Sequence, residues 1–285
     1  MNYRHEFHAG NFADLMKHSL LVILLQALNR KSTGWCYYDS HAGTGRYDLH
    51  SEAARTTGEA EAGIGRLWRQ RNGAPQAVQQ LCAIVAACNP LLTEGQTPRY
   101  YPGSAGIAQA LARSQDRLVL AELHPQEHRL LHKHLRNDAR VAIHARDGYE
   151  MLTALVPPPE RRGLALLDPP FEQTDEFERQ LQALRDAYVR WSSGVYALWY
   201  PIKDEAAVKR FYRNTIKSGI QRVLVAEFRT AHAAVSQFSA CGLLVVNPPW
   251  QCEPAMSETL HYLGAVLAAR TAANRLQWLV AETRK

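Results

Sequence analysis

From residue 100 onward, short apolar runs alternate with helical segments, and several of those runs end on an acid. Leu118-Val119-Leu120-Ala121 ends at Glu122, Val141-Ala142-Ile143 leads to Asp147-Gly148, and Leu164-Ala165-Leu166-Leu167 ends at Asp168-Pro169-Pro170-Phe171. Unbroken apolar runs of this length read as strands buried on both faces, and strands alternating with helices imply βαβ units. The chain is thereby confined to an α/β fold, a mostly parallel sheet with helices on both sides. Ligands of such sheets bind beyond the strand carboxyl ends, near the topological switch point, so the strand-end acids should converge on one crevice.

The rest of the pattern fits this frame. Residues 11–29 carry helical spacing through Leu15, Leu21, Val22, Leu25 and Leu28. Trp35-Cys36-Tyr37-Tyr38 reads as a strand feeding the turn Asp39-Ser40-His41-Ala42-Gly43-Thr44-Gly45. Residues 50–97 are helical and more polar, with Ile64, Leu67 and Trp68 at helical spacing, and Pro90, Gly95 and Pro98 punctuate their exit. The expected division is an α/β domain of residues 1–49 and 98–285, with 50–97 as an inserted helical subdomain. Pro102-Gly103-Ser104 supplies a turn with Ser104 as N-cap of a helix over 105–113. Helices are expected near 125–136, 175–190 and 204–218, and further strands at 195–200, 222–228 and 243–246. The run 243–246 is taken as the last strand.

Composition narrows the class further. Thirty-three Lys and Arg against 27 Asp and Glu leave a net +6, a mild excess compatible with a polyanionic partner. Five cysteines with no Cys-x-x-Cys pair fit reduced thiols better than a disulfide framework or zinc ribbon. The opening Met-Asn-Tyr-Arg-His-Glu-Phe-His is polar, and the longest apolar stretch, Leu20 to Leu25, falls far short of the roughly 20 residues a bilayer requires. A cytoplasmic protein without a membrane partner is the expectation. His124, His128 and His132 recur at spacing four, but no adjacent carboxylate or thiol set completes a metal site, so no metal is expected. Lys133, Arg136, Arg161 and Arg162 are candidates for a phosphate path, weighed against plain surface positions.

Several residues carry the chemistry. Gly43 and Gly45 form Gly-x-Gly, but the third glycine of a dinucleotide fingerprint is Asp48, which disfavours a pyrophosphate-binding nicotinamide enzyme. A cofactor without phosphate, S-adenosylmethionine, tolerates the looser loop. Glu122 at a strand end suits the two ribose hydroxyls of an adenosyl group, and Asp147 suits the adenine amine, with Gly148 allowing backbone approach. Asp168-Pro169-Pro170-Phe171 is the most informative tetrapeptide. The N6 lone pair of adenine is delocalised into the ring. A carboxylate accepting one N6–H and a backbone carbonyl accepting the other draw that nitrogen toward sp³. Asp168 and the Pro169 carbonyl suit those roles, Pro170 fixes the carbonyl, and Phe171 offers a stacking face. Asn247-Pro248-Pro249-Trp250 matches the same pattern, so context must discriminate.

At this point a resemblance becomes specific. The chain resembles the RlmJ family of large-subunit ribosomal RNA adenine-N6 methyltransferases. The matching residues are Tyr3-Arg4-His5, Phe7-His8-Ala9-Gly10-Asn11, Asp14, Lys17-His18, His41-Ala42-Gly43, Gly45-Arg46-Tyr47, Arg99 to Ser104, Glu122-Leu123-His124-Pro125, Asp147-Gly148, Asp168-Pro169-Pro170 and Ala197 to Pro201. The resemblance implies a Rossmann-like methyltransferase sheet, S-adenosyl-L-methionine as cofactor and 23S ribosomal RNA as partner. It implies that His18, His41, Ser104, Glu122, Asp147, Gly148 and Asp168 contact the cofactor with Lys17 close by, that Asp168 is the catalytic acceptor, and that Tyr3 meets the substrate beside Pro169 and Phe171. Phe171 departs from the family, where Tyr is usual. A monomer is expected. Competing readings are a DNA adenine-N6 methyltransferase, for which an insert of about 48 residues is small as a target-recognition domain, and a non-catalytic nucleic-acid-binding protein with the same core.

Overall fold

The computed structural model describes residues 4–230, 238–267 and 274–282. A 3-10 turn (His5–Phe7) leads into helix α1 (Phe12–Asn29), whose N-cap Asn11 accepts from the backbone N–H of Ala13 and Asp14. Then follow β1 (Cys36–Asp39), β2 (Arg46–Asp48), α2 (Glu52–Thr57), a π-helical turn (Glu61–Gly65), α3 (Arg66–Arg69), α4 (Gln76–Ala87) and β3 (Tyr100–Pro102). The regular alternation comes next: α5 (Ser104–Leu111), β4 (Arg117–Ala121), α6 (Pro125–Leu135), β5 (Val141–His144), α7 (Gly148–Leu155), β6 (Gly163–Leu167), α8 (Glu176–Arg190) and β7 (Val195–Pro201). The described chain closes with α9 (Glu205–Lys217), β8 (Val223–Arg229), β9 (Ala240–Val246), α10 (Cys252–Leu267) and β10 (Arg275–Val280).

Eight strands form one sheet in the order β10-β8-β9-β7-β6-β1-β4-β5. Strands β5, β4, β1, β6 and β7 are mutually parallel, whereas β9 runs antiparallel to both β7 and β8. The strand order reverses between β1 and β6, which sets the switch point there. Side chains alternate between two buried layers: Leu118, Leu120, Leu164 and Leu166 join α1, α5 and α10, while Val119, Ala121, Ala165 and Leu167 join α7, α8 and α9. Burial on both faces explains why these strands read as unbroken apolar runs.

Three expectations need correction. Gly103, not Ser104, caps α5, and Ser104 is its first residue, which leaves the hydroxyl free to bond elsewhere. The run 243–246 is part of β9 but is not the last strand, since β10 adds an antiparallel edge beside β8. Arg162 is not on a phosphate path: its guanidinium donates to the carbonyls of Leu28 (2.7 Å) and Thr33 (2.8 Å), next to the N-terminal end of β6 and away from the strand carboxyl ends.

The helical segment between β2 and β3 leaves and returns at one place, because those two strands pair antiparallel with Asp48 opposite Tyr100. Its apolar residues Ile64, Leu67, Val78, Leu81 and Val85 are buried in the same cluster as Leu20, Leu21 and Leu24 of α1.

Candidate active site

A cavity of about 370 Å³ opens at the carboxyl ends of β1, β4, β6 and β7. Lys17, His18, His41, Ser104, Glu122, Asp147, Gly148, Asp168, Pro169 and Phe171 all line it. Tyr3 lies outside the described residues.

The glycine loop leaves β1 in a tight turn with Gly43 at φ 59°. A Cβ there would lie 2.1 Å from the Tyr47 hydroxyl, so this position admits no side chain. Glu122 secures the loop, accepting from the backbone N–H of Gly43 (2.9 Å) with one oxygen and of His124 (2.8 Å) with the other. Burial raises its pKa against those two donors. Glu127, one turn into α6, is a second carboxyl on this wall, pushed up to about 7 by burial and the neighbouring Glu122 charge.

At the opposite wall Asp147 caps α7, its Oδ1 accepting from the N–H of Tyr149 (2.8 Å) and Glu150 (3.1 Å). Its Oδ2 faces Arg179 at 3.6 Å. The next residue is glycine for a reason other than ligand approach: a Cβ on Gly148 would lie 1.8 Å from the Ser40 carbonyl oxygen. His41 bonds Ser40 Oγ (2.7 Å) and packs edge-on against Tyr149.

The floor is a chain of charges. Lys17 donates from Nζ to Asp168 Oδ2 (2.5 Å) and contacts Asp14 Oδ1 (2.9 Å). Asp14 also accepts from the Gly10 N–H (2.9 Å) and pairs with His5 Nε2 (2.9 Å). Burial opposes the charge on Lys17, yet Asp14 and Asp168 together hold its pKa well above the ordinary value. Burial likewise opposes ionisation of Asp14, but His5, Lys17 and His18 hold that carboxyl well below its ordinary range. The sequence reading gave Asp14 and His5 no role. The signal was an Asp, a Lys and a His at spacings three and four inside an otherwise apolar helix, a face that α1 turns toward the cavity.

Above the floor stand the rings of Phe171, Trp199 and Phe238. Phe171, at φ 50°, packs edge-on against Phe177 (4.9 Å between centroids) and Trp199 (6.0 Å), and Trp199 meets Phe238 (6.2 Å). The N-terminal turn spans the cavity rim: Arg4 reaches Gln126 at the start of α6 (2.5 Å), while Thr57 Oγ1 donates to the Phe7 carbonyl (2.6 Å) and Glu59 takes His8 and Asn11.

Burial lowers His18 to about 3 and His41 to about 4, so both are neutral near pH 7. An unfolded histidine titrates near about 6.5. Below that pH the unfolded chain takes up protons that the folded one refuses, so stability present above pH 6.5 is lost progressively toward pH 4. Glu127 acts in the opposite sense in the same window, and comparison with a variant isolates the histidine contribution. Thermal melts from pH 7.5 to 5 should fall more steeply in the wild type than in His41→Asn; equal slopes would remove His41 from the account.

Residues 32–280 match the model of the family described as Ribosomal RNA large subunit methyltransferase D, RlmJ. The chain is 37% identical over 99% of its length to the whole Ribosomal RNA large subunit methyltransferase J of Haemophilus influenzae, and 38% identical over 99% to that of Escherichia coli K12. A crystal structure of a Legionella pneumophila protein superposes with TM-score 0.88 at 32% identity, covering 95% of this chain and 98% of that one. The agreement in sequence and in fold extends over nearly the whole chain, which belongs to the RlmJ family of ribosomal RNA large subunit methyltransferases, enzymes whose methyl donor is S-adenosylmethionine.

Proposed function

We propose that this protein methylates the N6 amine of an adenine in 23S ribosomal RNA. The observation that carries this reading is the pair of acceptors at the end of β6. Asp168 lines the cavity with its Oδ2 held by Lys17, and among the described residues neither its Oδ1 nor the Pro169 carbonyl accepts a hydrogen bond. Two acceptors beside an aromatic wall match the two N–H groups and the flat face of an adenine.

The residues present fit the methyl donor. His18 Nε2 is a buried polar atom with no hydrogen bond among the described residues, Glu122 retains acceptor capacity after its two backbone bonds, and about 370 Å³ is within the range of small-molecule sites. When bound, S-adenosylmethionine supplies a methyl group carried on a sulfonium. We assign the ribose hydroxyls to Glu122, the adenine amine to Asp147 Oδ2, and further contacts to His18, His41, Ser104 and Gly148. Lys17 is better placed with Asp168 than with the cofactor, since its ammonium sits between two carboxylates. Asp168 and the Pro169 carbonyl orient the substrate amine by accepting its two protons, and Phe171 stacks on the base. Residues 50–97 form an inserted subdomain, and with the N-terminal turn tied to it they serve the RNA side of the cavity. Duplex opening is not required for an adenine that is already unpaired, which favours RNA.

Incubating the protein with large-subunit RNA transcribed in vitro and isotopically labelled S-adenosylmethionine, then digesting to nucleosides for mass spectrometry, tests the proposal. Labelled N6-methyladenosine is expected; label in any other nucleoside overturns it. For the cofactor, Glu122→Ala should weaken binding by about 1.5–3 kcal/mol, the range for hydrogen bonds to a charged group. Calorimetric titration checks this, and unchanged affinity removes Glu122 from the site.

A further inference from the structure

Asp39 ends β1, is fully buried and does not line the cavity. Its Oδ2 accepts two hydroxyl protons, from Tyr37 (2.7 Å) and from Ser104 (2.7 Å), and its Oδ1 accepts from the His41 N–H (3.2 Å). A carboxylate can only accept, so the direction of these bonds is fixed. Burial pushes Asp39 up to about 6 against the pull of Ser104 and Tyr37, which leaves it mainly ionised at pH 7. Burial also holds Tyr37 well above its ordinary value, so that hydroxyl keeps its proton and donates it.

The consequence falls on Ser104, which does line the cavity. A serine hydroxyl has one proton, and here Asp39 holds it. What remains toward the cavity is the oxygen lone pairs, which can take a donor and nothing else. S-adenosylmethionine carries its donors on the adenine amine, the ribose hydroxyls and the α-ammonium of its amino-acid tail. The first two are matched by Asp147 and Glu122 in the reading above, which leaves the ammonium. His18 supports this end of the cavity. Its Nδ1 bonds the Tyr101 hydroxyl (2.8 Å), three residues before Ser104, and its buried Nε2, 3.8 Å from Asp14 Oδ1, makes no hydrogen bond among the described residues. Burial keeps the Tyr101 proton in place, so that hydroxyl can donate to Nδ1, and in that tautomer Nε2 carries the hydrogen. Ser104 thus brings an obligate acceptor to a cavity that His18 also lines, and an acceptor is the complement of an α-ammonium.

We propose that Asp39 is a positioning residue: by holding the Ser104 proton it makes Ser104 an obligate acceptor, and the site thereby selects a ligand whose amino-acid tail keeps its free ammonium. The proposal rests on the cofactor assignment above.

The test is calorimetric and needs no turnover. S-adenosylhomocysteine and its deaminated analogue, with hydrogen in place of the ammonium, are titrated into wild type, Ser104→Ala, Asp39→Asn and the double variant. In Asp39→Asn the amide can turn its N–H₂ toward Ser104, and the serine proton is no longer committed. We expect each single variant to bind S-adenosylhomocysteine about tenfold more weakly, the double variant no more weakly than either, and the analogue to bind all four alike. Asp39→Glu, which keeps the charge but moves the carboxylate, should show the same ammonium-confined loss and stands in if Asp39→Asn does not fold. Unchanged affinity in a folded Asp39 variant, additive losses, or equal losses for both ligands would each overturn the role of Asp39 alone. A wild type that fails to bind S-adenosylhomocysteine overturns the cofactor assignment and this proposal with it.

Discussion

Asp168→Ala should lower methyl transfer by about 10²–10³-fold or more while the protein stays folded, the range seen when a group that stabilises developing charge is removed. The structure explains why the fold survives. Lys17 contacts Asp14 as well as Asp168, so deleting the Asp168 carboxylate leaves a buried pair that is still neutral. Asp168→Asn is the sharper case. From sequence alone an amide at this position keeps one acceptor for the substrate and hence partial activity. The structure redirects that oxygen, because Lys17 Nζ lies 2.5 Å from Oδ2 and will claim it. The amide then presents N–H₂ to a substrate N–H, two donors face to face, and activity should fall close to that of alanine. The second Pro-Pro motif is the control. Asn247 follows β9, antiparallel to β7, and its side chain donates to the Ser192 (2.8 Å) and Gly194 (2.9 Å) carbonyls just before β7 begins. Asn247→Ala loses both bonds and forces alanine to φ 52°, a cost of about 2–3 kcal/mol in stability with transfer unaffected. Transfer assays and denaturant melts on all three variants check these outcomes. An active Asp168→Ala enzyme, or a folded but inactive Asn247→Ala enzyme, would reverse the assignment of the two motifs.

Lys17→Met should be the most destabilising single change in the site, by about 3–5 kcal/mol, the range for breaking a buried ion pair from one side. The Asp14 side chain is only 2% exposed and would lose its ammonium partner, keeping beside it the imidazoles of His5 and of the buried, neutral His18. Adding Asp14→Asn should recover most of that stability, because the uncompensated charge disappears with the second change. Transfer should stay low in the double variant, since nothing then holds Asp168. Melts of the two single variants and the double variant decide this. If the losses simply add, the Asp14–Lys17 pair is not the origin of the effect; if the double variant transfers methyl normally, Lys17 has no part in placing Asp168.

The parts of this molecule that were legible in sequence share one physical cause. Strands β4 and β6 are buried on both faces and must be apolar throughout, and their carboxyl ends must hold the polar groups that face a ligand. Glu122, Asp147 and Asp168 therefore stood out before any coordinates. Strands β2 and β3 did not, because three residues such as Arg46-Tyr47-Asp48 form a strand only through their pairing with Tyr100-Tyr101-Pro102. Strand β10 is an edge, with Arg275, Gln277 and Trp278 among partly exposed positions, and it has no continuous apolar run to announce it. The part of the floor formed by Asp14 and His5 was hidden for another reason. Whether Asp14 faces solvent or a buried cavity depends on where α1 docks, and no local pattern contains that. Asp39 was read as part of a turn; its hold on Ser104 exists only because a residue 65 positions away closes over it.

Helix α1 has a double duty that bears on how the enzyme responds to heat. Its first two turns carry Asp14, Lys17 and His18 to the cavity, and its later turns carry Leu20 through Leu25, all buried between the sheet and the segment 50–97. Catalytic alignment is thus fastened to the part of the molecule that opens only with global unfolding, not to a loop that frays first. Backbone amides along α1 should exchange with deuterium as slowly as those of β1 and β6. Rising temperature should then leave the geometry at Asp168 intact until the melt itself, so that activity and folded fraction are lost over one common interval.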